Sequence, residues 1–337
     1  MAITIKDVAR EAGVSISTVS KVINQWPTIS EKTVNHVHQV MRKLDYTPNS
    51  RASNFARQAT NEVGFLAPLY KGQAFNIPHM FETICGITQV FAKNGYRLSL
   101  VDSSSYEQPC DAAKSIVSSK AFDGIIVHGS ATTPEIAKLV VQKDFPHILI
   151  GCPDFDTKLC WVDTNHVLSG DVAARHLVET GCRKIVFIAG SREGRLSRDR
   201  IQGFLSVMRE YEIKIGDDFV QYTGGDNERS YEIVNMMLAK TKRPDAIICE
   251  SNQIAIRALK ALREQKVSLP DDMSLITFDD YPLSHIMDPM PTVVDIDMFD
   301  LGLQAGNALL QKIRNTALQI QSYTTLPTLI QRSTTKG

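Results

Sequence analysis

Ser17, Ser20, Lys21 and Asn24 fall on one side of a helical wheel that steps about 100° per residue, while Val19, Val22 and Ile23 fall on the other. The outer face is small, polar and cationic. Side chains of these types offer hydrogen-bond donors to base edges and phosphate oxygens, and none is bulky enough to block entry to a major groove. Ile16 leans toward the apolar side of the wheel, yet it stands on the first turn, the part of such a helix that reaches deepest. A helical hairpin with a merely solvated outer face has the same periodicity, so the geometry alone does not specify nucleic acid.

The flanking residues are those that would position this face. Thr4 followed by Asp7 has capping-box spacing, and Ile5, Val8, Ala9 and Ala12 repeat at helical intervals. Gly13 follows, suited to the left-handed turn that ends a helix, and Ser15 can cap the next one. After Trp26-Pro27, Ser30 opens a third helix, in which Val34, Val37, Met41 and Leu44 pack back on the first two. Pro48 ends this small core by biasing Thr47 away from helix.

The run K-D-V-A-R-E-A-G-V-S-I-S-T-V-S-K-V-I-N at 6–24 resembles the start of the lac repressor/galactose repressor (LacI/GalR) family of bacterial transcription regulators. The likeness continues through W-P-T-I-S-E-K-T and L-D-Y-T-P-N and closes with L-I-Q-R-S-T-T at 329–335, so it spans essentially the whole chain. It implies that Ser15, Ile16, Ser17, Thr18, Ser20, Lys21 and Asn24 meet DNA from a recognition helix. It also implies a hinge, with Asn49, Arg51, Ala52 and Phe55 as contacts, that becomes helical on DNA and wedges an apolar side chain into the minor groove. Phe55 stands at the wedge position, where leucine is usual in the family; phenylalanine serves chemically. The segment Ser50 to Arg57 is too short to be a stable helix alone, since isolated helices below roughly 12–15 residues are marginal.

Composition agrees with a chain of more than one domain. At 337 residues and 43% apolar content it can build two or three cores. The formal net charge is zero, but residues 1–60 carry +4 and the remainder −4, so a polyanion would be the partner of the head alone. The six cysteines show no C-x-x-C and no paired spacing with histidine, which argues against a disulfide framework and a zinc site. No apolar run reaches the roughly 18 residues of a membrane span, and Lys6 and Asp7 interrupt any secretory signal. The expected setting is a reducing cytoplasm, with no membrane partner and no cofactor.

From Asn61 the texture changes to short apolar runs alternating with amphipathic helices, which means parallel-sheet α/β. Strands are expected at 63–66, 98–101, 124–127 and 147–150, and a second series at 161–163, 184–188, 219–222, 246–249 and 275–278. Helices are expected between them, including 80–94, 134–142, 168–180, 197–211, 229–239 and 253–265. Two such series suggest two lobes and a cleft, where ligands sit beyond the carboxyl ends of the strands. This part resembles the periplasmic sugar-binding-protein fold that the family uses for its effector. The expected organisation is an all-α helix-turn-helix head at 1–49, a hinge at 50–60 and an effector-binding and dimerisation domain at 61–337. Its first lobe would take about 61–160 and 293–322, and its second about 161–292 and 323–337.

Polar residues just past strand ends are the candidates for ligand contact. Arg200, in A-G-S-R-E-G-R-L-S-R-D-R-I-Q-G-F, and Asp279 lie on the family's effector-binding arginine and aspartate. A guanidinium fork with a carboxylate supplies donors and acceptors for vicinal hydroxyls, although the same two residues could form a structural ion pair. Ser251 and Asn252 stand where the family usually has an Asn-Asp pair, so contacts there would be shifted. Cys182 stands where histidine is common, at a site more structural than functional. Phe75, Asn76 and Trp161 fall where aromatic or amide walls are expected.

The resemblance implies a DNA-binding regulator, most simply a repressor, working as a homodimer on a pseudopalindromic operator and gated by a small sugar-like effector. Some family members answer instead to a phosphorylated carrier protein. A pure small-molecule binding protein would have no use for residues 1–57. A sugar-active enzyme would need a catalytic constellation, and there is no G-x-x-x-x-G-K-[ST], G-x-G-x-x-G after a strand, H-E-x-x-H or G-x-S-x-G.

Overall fold

The computed structural model describes residues 3–23, 26, 28–46, 60–71, 79–155, 158–318 and 322–337. Its contacts divide the chain into two units: Met1–Glu62 with Ser119–Asp123, and Val63–Ser118 with Gly124–Gly337.

In the first unit α1 (Ile5–Glu11), α2 (Ile16–Ile23) and α3 (Glu31–Lys43) enclose Val8, Ala9, Ala12, Val19, Val22, Val37 and Val40. The Asp7 carboxylate accepts from both the Thr4 N–H (3.0 Å) and the Thr4 hydroxyl (2.7 Å), closing the first turn of α1. Gly13 takes φ +63°, a backbone that a Cβ would disfavour, and turns the chain toward α2. Ser30 caps α3 by accepting from the Thr33 N–H. Val40 joins this core beyond the residues read from periodicity.

The second unit holds two six-stranded sheets. In the first lobe the chain runs β1 (Glu62–Ala67), α4 (His79–Lys93), β2 (Arg97–Asp102), α5 (Pro109–Ser118), β3 (Gly124–His128), α6 (Pro134–Gln142), β4 (His147–Ile150) and β5 (Trp161–Thr164). The second lobe follows with α7 (His166–Glu179), β6 (Ile185–Ala189), α8 (Arg195–Glu210), β7 (Val220–Tyr222), α9 (Arg229–Leu238), β8 (Ala246–Cys249), α10 (Asn252–Glu264), β9 (Ser274–Phe278), α11 (Pro282–His285) and β10 (Thr292–Asp295). The chain then returns through α12 (Met298–Arg314) and β11 (Ser322–Thr325) to the first lobe and ends in β12 (Thr328–Ile330) of the second. The strand orders are β11-β5-β4-β3-β1-β2 and β12-β10-β9-β8-β6-β7. Of the recorded pairings, only β12 with β10 is antiparallel.

Three departures from the sequence reading concern the crossings. Trp161–Thr164 belongs to the first sheet, paired with β4 and β11, although its place in the series suggested the second lobe. Crossing comes after it, at Asn165, because β5 follows β4 directly and lies parallel beside it. Thr292–Asp295 belongs to the second sheet and Ser322–Thr325 to the first, so the lobe boundaries move by a few residues. Helices α5 and α11 had not been anticipated.

Glycines let helices α7 and α8 approach backbone to backbone. A Cβ on Gly203 of α8 would stand 1.9 Å from the Val167 carbonyl oxygen of α7, and one on Gly170 would stand 1.9 Å from the Arg200 carbonyl oxygen. These contacts fix where α8 presents Arg200.

Candidate functional site: a polar helix face and an inter-lobe cleft

On α2, Ile16, Ser17 and Lys21 are exposed while Val19 and Val22 are buried. Ile16 keeps 45% of its surface in solvent, and the described residues leave the first turn open on that side. Ser15 precedes the helix and accepts from the Thr18 N–H at 3.0 Å; its hydroxyl also meets those of Ser17 (2.7 Å) and Thr18 (2.8 Å). Ser15, Ser17 and Thr18 therefore share hydrogen bonds at the cap, and Ile16, Ser17 and Lys21 are the exposed side chains of the face. Ser20 is half-buried at the edge of the same face. The Lys21 ammonium lies 5.8 Å from the centre of the exposed Trp26 ring, a weak cation–π contact that orients it. Asn24 and the hinge contacts Asn49, Arg51, Ala52 and Phe55 lie outside the described residues.

Within the second unit, a cleft of about 300 Å³ opens between the carboxyl ends of the two sheets. Arg200, Asp279, His79, His128, Asp163 and His166 line it, with Arg195 at one side and Ile150, Leu196, Ile296, Met298 and Leu301 as apolar wall. Arg200 is 1% exposed and reaches across the sheet. Its Nη1 donates to the Glu250 carbonyl past β8 at 2.8 Å, Nη2 lies 3.5 Å from Asp279 Oδ1 past β9, and the guanidinium sits 4.0 Å over the Phe278 ring. Its Nε, like Asp279 Oδ1, the Tyr281 hydroxyl and His166 Nδ1, is buried without a hydrogen-bond partner.

Asp279 sits at φ +71°, which aspartate tolerates better than most residues. Asn252 holds it there: its amide nitrogen donates to the carbonyls of Phe278 (3.1 Å) and Asp279 (2.9 Å). Burial raises the Asp279 pKa against the pull of Arg200 and His166, and burial likewise raises that of Glu250. Asp163 goes the other way. Burial pushes it up, but the bond from His166 Nε2 (3.0 Å) and the N–H groups of Cys152 (2.7 Å) and Thr164 (2.8 Å) leave it lowered.

His79 stacks between the lobes, 5.9 Å from the His128 ring and 6.1 Å from that of Tyr281. Burial lowers the pKa of both histidines to about 4; for His79 the Arg200 charge adds to it, and for His128 the His79 ring does. Two arginines of α8 tie the mouth across the lobes. Arg195 Nη1 donates to the Pro153 carbonyl at 3.0 Å and Arg198 pairs with Asp154.

Arg200 and Asp279 are thus brought together in the cleft, whereas Trp161, Ser251 and Asn252 do not line it. Ser251 caps α10, accepting from the Ile254 N–H at 3.3 Å, and Asn252 fastens the Asp279 backbone; neither lines the cleft. Trp161 opens β5 at its amino end, on the same face as Asp163 but one pleat farther from the cleft. Phe75 and Asn76 lie outside the described residues. His79, His128, Asp163, His166 and Tyr281 were not anticipated: they come from five strand ends and helix starts that only the tertiary fold assembles. The available signal was their place, at or just beyond the end of an apolar run. Among the described residues no group of His, Cys, Asp and Glu could hold a metal ion, and no helix is long and apolar enough to cross a membrane.

Residues 4–49 match the lacI family of bacterial regulatory proteins and residues 174–335 match a periplasmic binding protein-like domain. The HTH-type transcriptional repressor PurR of Actinobacillus pleuropneumoniae serotype 3 (strain JL03) is 30% identical over 321 residues, covering 95% of this chain and 94% of that protein. PurR of Haemophilus influenzae (strain PittEE) is 29% identical and covers 99% of both. Among solved structures, the lac repressor dimer bound to operator and the anti-inducer ONPF superposes with a TM-score of 0.79 at 23% identity, over 100% of both chains. The complex of the transcriptional regulator CelR with cellobiose gives 0.71 at 21% identity, over 98% of this chain and 99% of that one. At these identities the two structures speak for the fold alone.

Proposed function

The chain belongs to the lacI family of bacterial regulatory proteins, and on that footing we propose that it is a sequence-specific DNA-binding repressor of transcription, gated by a small sugar-like effector held in the inter-lobe cleft. The observation that carries this reading is the exposed face of α2, with Ile16, Ser17 and Lys21 outward on a helix seated by Val19 and Val22. Serine and lysine supply donors to bases and phosphates, and isoleucine supplies an apolar contact for a thymine methyl.

One such helix buries little surface. Two-fold pairing on a pseudopalindromic operator multiplies it, so the working unit is a homodimer. Residues 1–49 act as the DNA-binding head, 50–60 as a hinge that folds on DNA with Phe55 as its wedge, and 61–337 as the effector-binding and dimerisation domain. Effector energy reaches DNA only if ligand prefers one arrangement of the two lobes, since a ligand that binds both equally shifts nothing. Arg200 and Asp279 on one lobe, with His79, His128 and Asp163 on the other, give the ligand contacts to both.

Selection from random double-stranded DNA with the full chain tests the reading. It predicts enrichment of one inverted-repeat sequence, and Lys21→Ala weakens binding to it. Recovery of no preferred sequence contradicts it.

A further inference from the structure

We propose that acidification opens the cleft: the His79 ring, stacked between the lobes, refuses a proton while they are together and accepts one when they part. This rests on the proposed reading of the two lobes as moving parts.

Three rings join the lobes in one stack. His128 closes β3 and His79 opens α4, both in the first lobe, and Tyr281 follows β9 in the second. The His79 ring lies 5.9 Å from that of His128 and 6.1 Å from that of Tyr281, at interplanar angles of 25° and 27°. His128 is tied within its own lobe, where its Nδ1 meets the Ser130 hydroxyl at 2.7 Å. Parting the lobes therefore divides the stack between His79 and Tyr281, and His79 is the histidine that gains water.

The surroundings of His79 are unsuited to an imidazolium. From the second lobe it faces the Tyr281 ring and the Arg200 guanidinium, and the His166 ring stands at the crossing between lobes. Carboxylates are near, but they are engaged elsewhere. Asp163 holds His166 and the N–H groups of Cys152 and Thr164, and Asp279 faces Arg200. Asp295 accepts from the Asp280 N–H, and Arg195 is paired with Asp199. On its own helix Glu82 stands one turn on, and the positive end of α4 opposes a cation in either arrangement.

Burial first, and the Arg200 charge second, hold the His79 pKa down to about 4. Separation of the lobes relieves both and returns the ring toward roughly 6.5. The open arrangement then binds the proton more tightly, so its share rises as pH falls between these two values. From pH 8 to pH 5 one such ring raises the ratio of open to closed by up to roughly 30-fold. The end of α4 keeps the effect below that limit, since its influence persists when the lobes part.

Double electron–electron resonance on the full chain tests this, with nitroxides carried on p-acetylphenylalanine at Lys138 of α6 and Gln202 of α8. Labelled chain is diluted in unlabelled chain, so that distances within one copy are read. In the parent, the long-distance population should grow at least fivefold relative to the short one between pH 8 and pH 5. His79→Phe keeps a ring in the stack but takes no proton, and its distribution should not move. His128→Phe should keep the response. A parent distribution that ignores pH, or one that shifts equally in His79→Phe, overturns the proton switch. If the parent ignores pH but responds to the inverted repeat recovered by selection, the moving lobes stand and this inference alone falls. If it responds to neither, the reading of two lobe arrangements falls with it.

Discussion

Arg200 Nη2 stands 3.5 Å from Asp279 Oδ1, near enough to be an ion pair and too far to be a good hydrogen bond. The pair is deeply buried, held from one end by the Glu250 carbonyl and from the other by the Asn252 clamp on the Asp279 backbone. The pair is kept slightly apart, and Arg200 Nε and Asp279 Oδ1 are left without a hydrogen-bond partner. Arg200→Lys keeps the charge but cannot span Glu250 and Asp279 with a planar fork. It should leave the chain folded and able to bind operator while lowering effector affinity at least tenfold, as read by calorimetry.

The position of Arg200 depends on glycine at its back. Gly203→Ala would force α7 and α8 apart, since the new methyl would overlap the Val167 carbonyl. The expected cost is about 1–3 kcal/mol of stability, with loss of effector binding as Arg200 withdraws. Gly216→Ala provides the comparison: its Cβ would meet only the Phe219 ring, at 3.8 Å, and the denaturation midpoint should not move. Equal midpoints for the two variants would contradict the packing argument.

On α2, Lys21→Ala should weaken operator binding uniformly across sequences and reduce the salt slope by about 1 if its partner is a phosphate. Ile16→Ala and Ser17→Ala should instead change which sequences are preferred, because direct base contacts carry the specificity. Binding-site selection with each variant decides; parental preferences in both would remove them from the readout.

His79, His128 and His147 are neutral inside, burial being the main cause, with pKa values lowered to about 4. Above their unfolded value of roughly 6.5 both states are neutral and nothing is lost. As pH falls from there toward 4, the unfolded chain takes protons that the folded chain refuses. Stability is therefore lost through this window, by up to roughly 3 kcal/mol per ring. The carboxyls of Asp279, Glu250 and Asp295, raised chiefly by burial, act in the opposite sense: they add stability at low pH that is lost as pH rises. Proton NMR of the imidazoles separates the two. Three ring signals should stay unmoved from pH 8 to about 5.5, and a midpoint near 6.5 for any of these rings would contradict its burial.

Helix α6 and strands β4 and β8 could be read to the residue because apolar runs and caps bound them sharply. Arg200 and Asp279 were legible from the motif around each. Ile16 shows the limit of a helical wheel, which supplies an angle but not how far neighbours cover it; among the described residues it stays exposed. Trp161 shows the limit of counting strands: its run reads correctly as a strand, but whether that strand closes the first sheet or opens the second depends on a hydrogen-bonding neighbour far along the chain. The stack of His128, His79 and Tyr281 could not have been read at all, since the three rings come from β3, α4 and the loop past β9.

The central claim is that ligand in the cleft sets affinity for DNA. Fluorescence anisotropy of the selected operator with the full chain, with and without the sugar that binds the cleft, tests it directly in parent and Arg200→Ala. The parent should change its operator Kd by roughly 5–150-fold, the usual range of coupling between sites, and Arg200→Ala should show no change. An operator Kd that ignores ligand in the parent, or that shifts equally in Arg200→Ala, would contradict the account.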